Sequence, residues 1–372
     1  MQDLAPYVTL NEYDSALKRR LDKMYERYIF KFCVENDLEK FKEFIKTYWR
    51  ADHIYVISPE LIRWQQYDVA KRLYNFVYAE NKESGEIHSC LGFIFTSQFD
   101  PAISIRDVWL GLWRSRPDAA PGLGGELARF LIKNIRPRSI GCLGLSRNTM
   151  TSIPRLGFTT GLMDHHYLLN PDITNFQLVG QAAPVSLDQS AIVTTFLFEL
   201  SPEQVKDFVI EDFDPAAFCP IKTTTYVYNR FARNPFFKYR MFAVTQEGHS
   251  LGILVTRTVS ALDAKAIRIV DYIGHDKGWI GLGPALIKLI RDDHAEFIDL
   301  YSHGIGKDEI AASSMIRHRE EDRVIIPLYF EPFEKRNKGL DYGYVVPDGT
   351  HYRVFKADSD QDRTNRMVNV RL

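Results

Sequence analysis

The chain has 372 residues, enough for two or three domains that each bury a core, and its 45% hydrophobic and 26% charged residues are ordinary for a globular protein. Lys and Arg number 47 against 48 Asp and Glu, a net charge of -1, so no basic excess points to nucleic acid and no acidic tail to disorder. The opening "MQDLAPYVTLNEYDS" lacks the basic start and apolar core of an export signal. No apolar run approaches the roughly 20 residues of a membrane span, so the expectation is a cytoplasmic protein without membrane insertion. Cys33, Cys90, Cys142 and Cys219 show no CxxC spacing, and the first three lie in apolar, strand-like runs; buried thiols are expected, and no metal site.

In chain order, Tyr13 to Arg27 reads as a charged helix and "YIFKFCV" (Tyr28 to Val34) as a strand. Leu38, Phe41, Phe44, Ile45 and Tyr48 form the stripe of a helix lying on a sheet. "RLYNFVYAE", "HSCLGFIFTS" and "SIRDVWLGLWRS" then predict an antiparallel meander with a turn at Glu83 to Glu86. The stretch "RSRPDAAPGLGGELARFLIKN" reads as a strand end, a glycine turn and a helix start. Gly122 and Gly124 suit a tight turn, and Leu127, Phe130 and Leu131 fall at helical spacing, so free N–H groups of a helix N-terminus would face the turn and attract phosphate. "SIGCLGLS", a short helix from Asn148, "RLGFTTG" and a strand near "MDHHYLL" follow, and Asn170 to Gln189 reads as a linker.

The pattern then repeats. "WIGLGPALIKLI" sets Gly281, Leu282 and Gly283 before Leu286, Leu289 and Ile290, as Gly122, Leu123 and Gly124 stand before Leu127, Phe130 and Leu131. "LGFIFT" at Leu91 returns as "LGILVT" at Leu251 at nearly the same offset, which argues for a duplicated domain. Strands are predicted at "AIVTTFLFEL", "YRMFAVTQEG", "SLGILVTRTVS", "AIRIVDYIG", "EFIDLYSHG" and "VIIPLYF" (Val324 to Phe330), with helices from Pro202 and Asp308. A tail of about 40 residues is expected to fold onto the second domain. The expected fold is α+β: two tandem domains of mixed, largely antiparallel sheets flanked by helices, at residues 1–171 and 190–372 with a linker at 172–189.

These residues resemble the GNAT acyltransferase superfamily, whose motif A is a strand, Q/R-x-x-G-x-G/A and a helix holding the CoA pyrophosphate. Here that core is Ala119-Ala120-Pro121-Gly122-Leu123-Gly124, with alanine at the Q/R position. Asn148 and "RLGF" (Arg155 to Phe158) resemble motif B, with Ile153 where many members carry a tyrosine acid. The second copy is more divergent, with Gly278 at the Q/R position. "WLGLW" with "APGLGG", "EFIDLYSHGI", "IIPLYFEPF" and "VFKADSDQDRTN" resemble tandem-GNAT sugar N-acyltransferases of surface polysaccharide biosynthesis, including enzymes that acylate dTDP-3-amino-3,6-dideoxyhexoses from 3-hydroxybutanoyl-CoA. The chain departs from that group at Ala357 and Ser359, where glycines are common, at Leu328 and at Thr364. The resemblance implies acyl-CoA as co-substrate, held by Gly122, Leu123, Gly124, Gly125 and Asn148 of the first copy. It implies oxyanion donors near Leu112 and Trp113, and a nucleotide-linked amino sugar, with a dTDP-sugar as the leading case, on the side of the second copy and tail. O-antigen or capsule biosynthesis would be the setting.

Amine acylation by a thioester needs a neutral amine, a stabilised oxyanion and a thiolate leaving group. Neutralising an amine of pKa about 8 at pH 7 costs about 1.4 kcal/mol, less than the roughly 2.7–4 kcal/mol an oxyanion donor supplies, so positioning outweighs any single base. Candidate bases are Asp271, at the end of "IRIVD", and Tyr301 and His303 in "DLYSHG"; each also has a structural reading, as a capping or surface group. His165 and His166 are adjacent on a strand, face opposite sides and read as structural. Asp358, Asp360 and Asp362 alternate as in a calcium loop, but Arg363 and Asn369 occupy the positions that need glycine and glutamate. Two other readings stay open: a Fem-like aminoacyl transferase, which the charge balance disfavours, and a non-catalytic sugar-nucleotide-binding protein.

Overall fold

The fold is that of a computed structural model, which describes residues 7–12, 22–181 and 194–362. Most of the expected opening helix, much of the linker, and Arg363, Thr364 and Asn369 lie outside the described residues. Two compact units emerge: residues up to Gly161 with Asp341–Gly349, and Leu162–Leu340 with Thr350–Asp362.

The first unit runs β1 (Tyr28–Val34), α1 (Leu38–Tyr48), two short helices (Ile54–Ile57 and Pro59–Gln66), β2 (Leu73–Asn81), β3 (Ile87–Phe95), β4 (Asp107–Ser115), α2 (Leu123–Ile135), β5 (Ser139–Leu143), α3 (Arg147–Ser152) and β6 (Thr159–Leu162). β2 to β4 form the predicted antiparallel meander, β1 pairs antiparallel with β2, and β4 lies parallel to β5. The apolar face of α2, Leu127, Ala128, Leu131 and Ile132, covers Val77, Leu91, Val108, Leu110 and Ile140 of the sheet. That burial holds the helix against the strands, since helical propensity alone supplies little.

The second unit contains β7 (Asp164–Leu169), β8 (Thr195–Leu200), β9 (Arg240–Gln246), β10 (His249–Ala261), β11 (Ala264–Gly274), α4 (Gly283–Asp292), β12 (Phe297–His303) and β13 (Ile316–His318). β8 to β11 repeat the antiparallel run, and β11 lies parallel to β12. Leu286, Ile287, Leu289 and Ile290 of α4 cover Val244, Leu254, Ile267, Ile269 and Leu300. The repeated "LGFIFT" and "LGILVT" occupy β3 and β10, the same place in each unit. The α+β class with two mixed, largely antiparallel sheets is as the sequence predicts, and each of the two has eight strands.

The assignment of strands to units differs from expectation in two places. β7, expected in the first domain, pairs along its whole length with β12 and belongs to the second sheet. β14 (Asp341–Val345), expected to fold onto the second domain with the rest of the tail, pairs with β5 in the first. The side-chain pattern of a strand sets which faces it buries and does not encode which edge it joins. "VIIPLYF" is not a strand: only Ile325 and Phe330 make isolated bridges. The buried Arg268 guanidinium takes the Pro327 and Leu328 carbonyls instead, so this backbone answers to a side chain and not to a ladder. The helices at Ile54–Gln66 have no counterpart in the sequence reading.

All four cysteines are free and buried, and burial pushes the Cys33 and Cys142 thiols up to about 12. Among the described residues no helix is long and apolar enough to cross a membrane.

His165 and His166 are both buried. His165 lies between His318 (Nδ1 to Nδ1, 3.1 Å) and Asp299 (3.2 Å), and Asp299 is held well below the usual carboxylate range by Arg268 and His165 despite its burial. Burial pulls both imidazoles down to about 4. They are therefore neutral in the fold at pH 7, whereas in the unfolded chain they take up protons near 6.5. Stability from this source is complete above pH 6.5 and is lost as pH falls from about 6.5 towards 4. Thermal unfolding across that window is expected to show a falling midpoint, and His165→Gln, which keeps a donor for Asp299, is expected to flatten the fall. An equal slope in the variant would show that His165 is not its source.

Candidate functional site

The glycine turn of the first unit is built from its flanks. Arg116 binds Asp118 (2.9 and 2.8 Å) and Glu86 (2.8 Å), which fixes the loop after β4. Tyr28, from β1, accepts the Ala120 N–H at 3.4 Å. Gly122 then takes φ +90°, a left-handed conformation that L side chains resist, and starts α2. The Leu123 N–H bonds the Ala120 carbonyl (3.1 Å) and the Glu126 N–H the Gly122 carbonyl (3.1 Å). Gly124 and Gly125 sit between them, at the second and third positions of the helix, where N–H groups have no carbonyl within the helix.

Beside this turn the sheet opens. β4 and β5 pair from Asp107↔Ser139 to Leu110↔Cys142 and then part, while β4 continues to Ser115 against β3 only. Leu112 takes φ +53° at this point, a bend in the strand. The opening between β4, the turn and α3 is a cavity of about 880 Å³. Trp113, Gly122, Gly124, Gly125 and Asn148 of the expected binding residues line it, as does Ile153. Leu112 and Leu123 do not: their side chains are buried beneath, so any contribution comes from backbone alone. Lys23, Arg27, Arg114 and Arg155 also line the cavity, and among the described residues no carboxylate does. Of these cations Arg155 falls in "RLGF" and Arg114 opens the glycine-turn stretch; Lys23 and Arg27 lie just before β1, and spacing along the chain gives no sign that they face the turn. Four cations with a helix N-terminus and no anion make a cavity for a polyanion.

The second unit repeats the architecture and closes the opening with its own chain. β11 and β12 pair as far as Ile269↔Leu300 and part in the same way. Into that gap comes β15 (Val354–Phe355), paired with Ser302 and His303 of β12, and the Ala357 N–H then bonds the Val270 carbonyl at 2.9 Å. The glycine turn is covered too: the Gly281 N–H bonds the Ala312 carbonyl (2.9 Å), and a Cβ on Gly283 would stand 2.8 Å from the Ser313 carbonyl. Lys222 locks the closure with bonds to Asp271 (2.7 Å) and Asp358 (2.8 Å).

This placement corrects part of the expected catalytic set. Asp271 is fully buried in that ion pair, and burial raises its carboxyl, so it has no route to a substrate. Tyr301 is 1% exposed, stacks on His165 with centroids 3.9 Å apart, and donates to the Lys338 carbonyl at 3.1 Å; burial pushes its phenol well up. His303 is half-buried, and burial lowers its pKa, which leaves it neutral at pH 7. Asp358 and Asp362 are structural, bound to Lys222 and to Tyr239 (2.8 Å). Among the described residues no group of three His, Cys, Asp or Glu could hold a metal ion.

No protein-family model and no curated protein matches the chain. Solved structures similar to it include a GCN5-related N-acetyltransferase from Kribbella flavida, at 10% identity over 86% of this chain and 71% of that one, with a TM-score of 0.48. Another, from Anabaena variabilis, shares 8% identity over 86% and 73%, with a TM-score of 0.48. Saccharomyces cerevisiae N-myristoyltransferase with bound myristoyl-CoA shares 10% identity over 98% and 90%, with a TM-score of 0.44. None of these likenesses is near enough to carry an activity across.

Lys222 is the one cation bonded to both Asp271 and Asp358 among the described residues, so its loss leaves two buried carboxylates together with only Arg230, 4.0 Å from Asp358, beside them. Lys222→Met is expected to lower the unfolding free energy by about 3–5 kcal/mol, read as a fall in the urea midpoint. A midpoint within error of wild type would show that the ion cluster does not hold the closure.

Proposed function

We propose that the chain is an acyl-CoA-dependent N-acyltransferase whose CoA site is the cleft of the first unit. The observation that carries this reading is the cavity where β4 parts from β5, with a glycine turn, a helix N-terminus and four cationic side chains around it and no carboxylate. CoA is a polyanion with a long thin arm, and such a cleft suits it. Gly124 and Gly125 would offer backbone N–H groups to the pyrophosphate, with Asn148 and the lining cations beside them. Backbone groups at Leu112 and Trp113, on the side of β4 that β5 leaves, would stabilise the thioester oxyanion.

In the reaction the acceptor's neutral amine attacks the thioester carbonyl carbon, the C–S bond breaks, and CoA leaves as thiolate. The amine's proton passes to water and finally to solvent or the thiolate. A thiol of ordinary pKa near 8.5 is a good leaving group, so Ile153 in place of an acid is compatible with turnover. The acceptor we propose is the amine of a nucleotide-linked amino-deoxy sugar, a dTDP-3-amino-3,6-dideoxyhexose being the first to try, with a 3-hydroxybutanoyl or acetyl donor. That finer assignment rests on the sequence resemblance.

Free-thiol release from acetyl-CoA and 3-hydroxybutanoyl-CoA, each with dTDP- and UDP-linked amino sugars, is the direct assay. Release that requires both partners is the expected result; silence across the panel, with no CoA binding by calorimetry, would remove the transferase reading. Gly124→Val, whose Cβ would press on Trp113 at 3.0 Å, is expected to weaken CoA at least tenfold. Wild-type affinity in that variant would move the CoA site elsewhere.

A further inference from the structure

One polar group in the cleft of the first unit has no task in the reading above. Trp113 stands on β4 past the last pair with β5, and its ring lines the cavity while packing against the edge of the core. The nitrogen edge of the indole faces the glycine turn: a Cβ on Gly124 would be 3.0 Å from Nε1 and 3.8 Å from Cδ1. Ser115 Oγ, 3.3 Å from the same point, is already shared with Ser89 Oγ at 2.8 Å. An indole nitrogen is a donor only, so it suits an acceptor and nothing else.

Trp113 Nε1 therefore stands beside Gly124, at the end of the cavity where the backbone N–H groups of Gly124 and Gly125 lie. Lys23, Arg27, Arg114 and Arg155 line the same space. We infer that the Trp113 indole N–H is the third donor of an oxyanion cradle and binds a phosphoryl oxygen of the nucleotide part of the ligand beside Gly124 and Gly125. The inference rests on the reading that CoA occupies this cleft. It gives position 124 its chemical reason: a side chain there would push the ring away from the turn, so the glycine serves the indole as well as the ligand. Trp113 then has two functions on one residue, its backbone towards the thioester and its side chain towards the phosphate.

Trp113→Phe keeps an aromatic ring and removes the donor. Calorimetry with the full chain is expected to give affinities about tenfold weaker for both CoA and inorganic pyrophosphate, with the thermal midpoint of the ligand-free protein unchanged. In wild-type protein the indole 1H–15N signal that is missing from the Trp113→Phe spectrum is expected to move downfield when pyrophosphate is added. Trp113→Tyr supplies the same assignment if the phenylalanine variant does not fold. Wild-type affinity in the variant, or an indole signal that stays in place, overturns the role of Trp113 and leaves the CoA reading standing. A wild-type protein that binds neither CoA nor pyrophosphate removes the CoA reading, and the indole's role with it.

Discussion

Two parallel strands that part before they end leave unpaired backbone on both edges, and that backbone has to be met by something. This constraint occurs twice in the chain, after Leu110↔Cys142 and after Ile269↔Leu300, each time beside a glycine turn that starts a helix. In the first unit the parting opens a cavity ringed with cations; in the second it is filled by Val354–Phe355 and the residues after them. One backbone plan thus yields an open cleft and a closed one.

The closure of the second unit has a distinct energetic character. A strand edge is satisfied by another strand, but the polar residues that come with it must also be buried. Lys222 stands between Asp271 and Asp358, and the Phe355 N–H bonds Asp358 at 2.8 Å, so the charges and the inserted strand hold each other. Such a cluster contributes less to stability than its short distances suggest, because desolvation offsets most of the attraction. What it does provide is a single allowed register for the insertion, since a one-residue slip would leave a buried charge without its partner. Among the described residues the first unit carries no comparable insertion at its parting, and its cations face a cavity instead.

The glycine turns show how the same residues acquire different roles. Gly122 needs a positive φ to turn the chain into α2, a backbone reason. Gly124 needs its missing side chain because an indole approaches it. Gly283 needs the same because the Ser313 backbone covers it. Identical spacing in the two copies therefore encodes a cavity-facing turn in one and a packed turn in the other, and the difference lies in what the rest of the chain places alongside.

The sequence by itself determined the duplication, the α+β class, the meander of each unit and both strand–turn–helix elements, because these depend on local signals: alternation, helical spacing and glycine. Of the binding residues it singled out, Trp113, Gly122, Gly124, Gly125 and Asn148 line the cavity of the first unit, and Leu112 and Leu123 do not. Only the tertiary structure decided the rest. Asp271 looked like an accessible carboxylate at a strand end and is sealed by residues 49 and 87 positions away, Lys222 and Asp358. Lys23 and Arg27 read as part of a charged opening helix and line the cleft. β7 read as a strand of the first unit and pairs in the second, and the tail segment that forms β14, expected on the second, pairs in the first, since a segment's composition does not fix its neighbour. Burial and charge pairing are properties of chain segments brought together from far apart, and no local pattern records them.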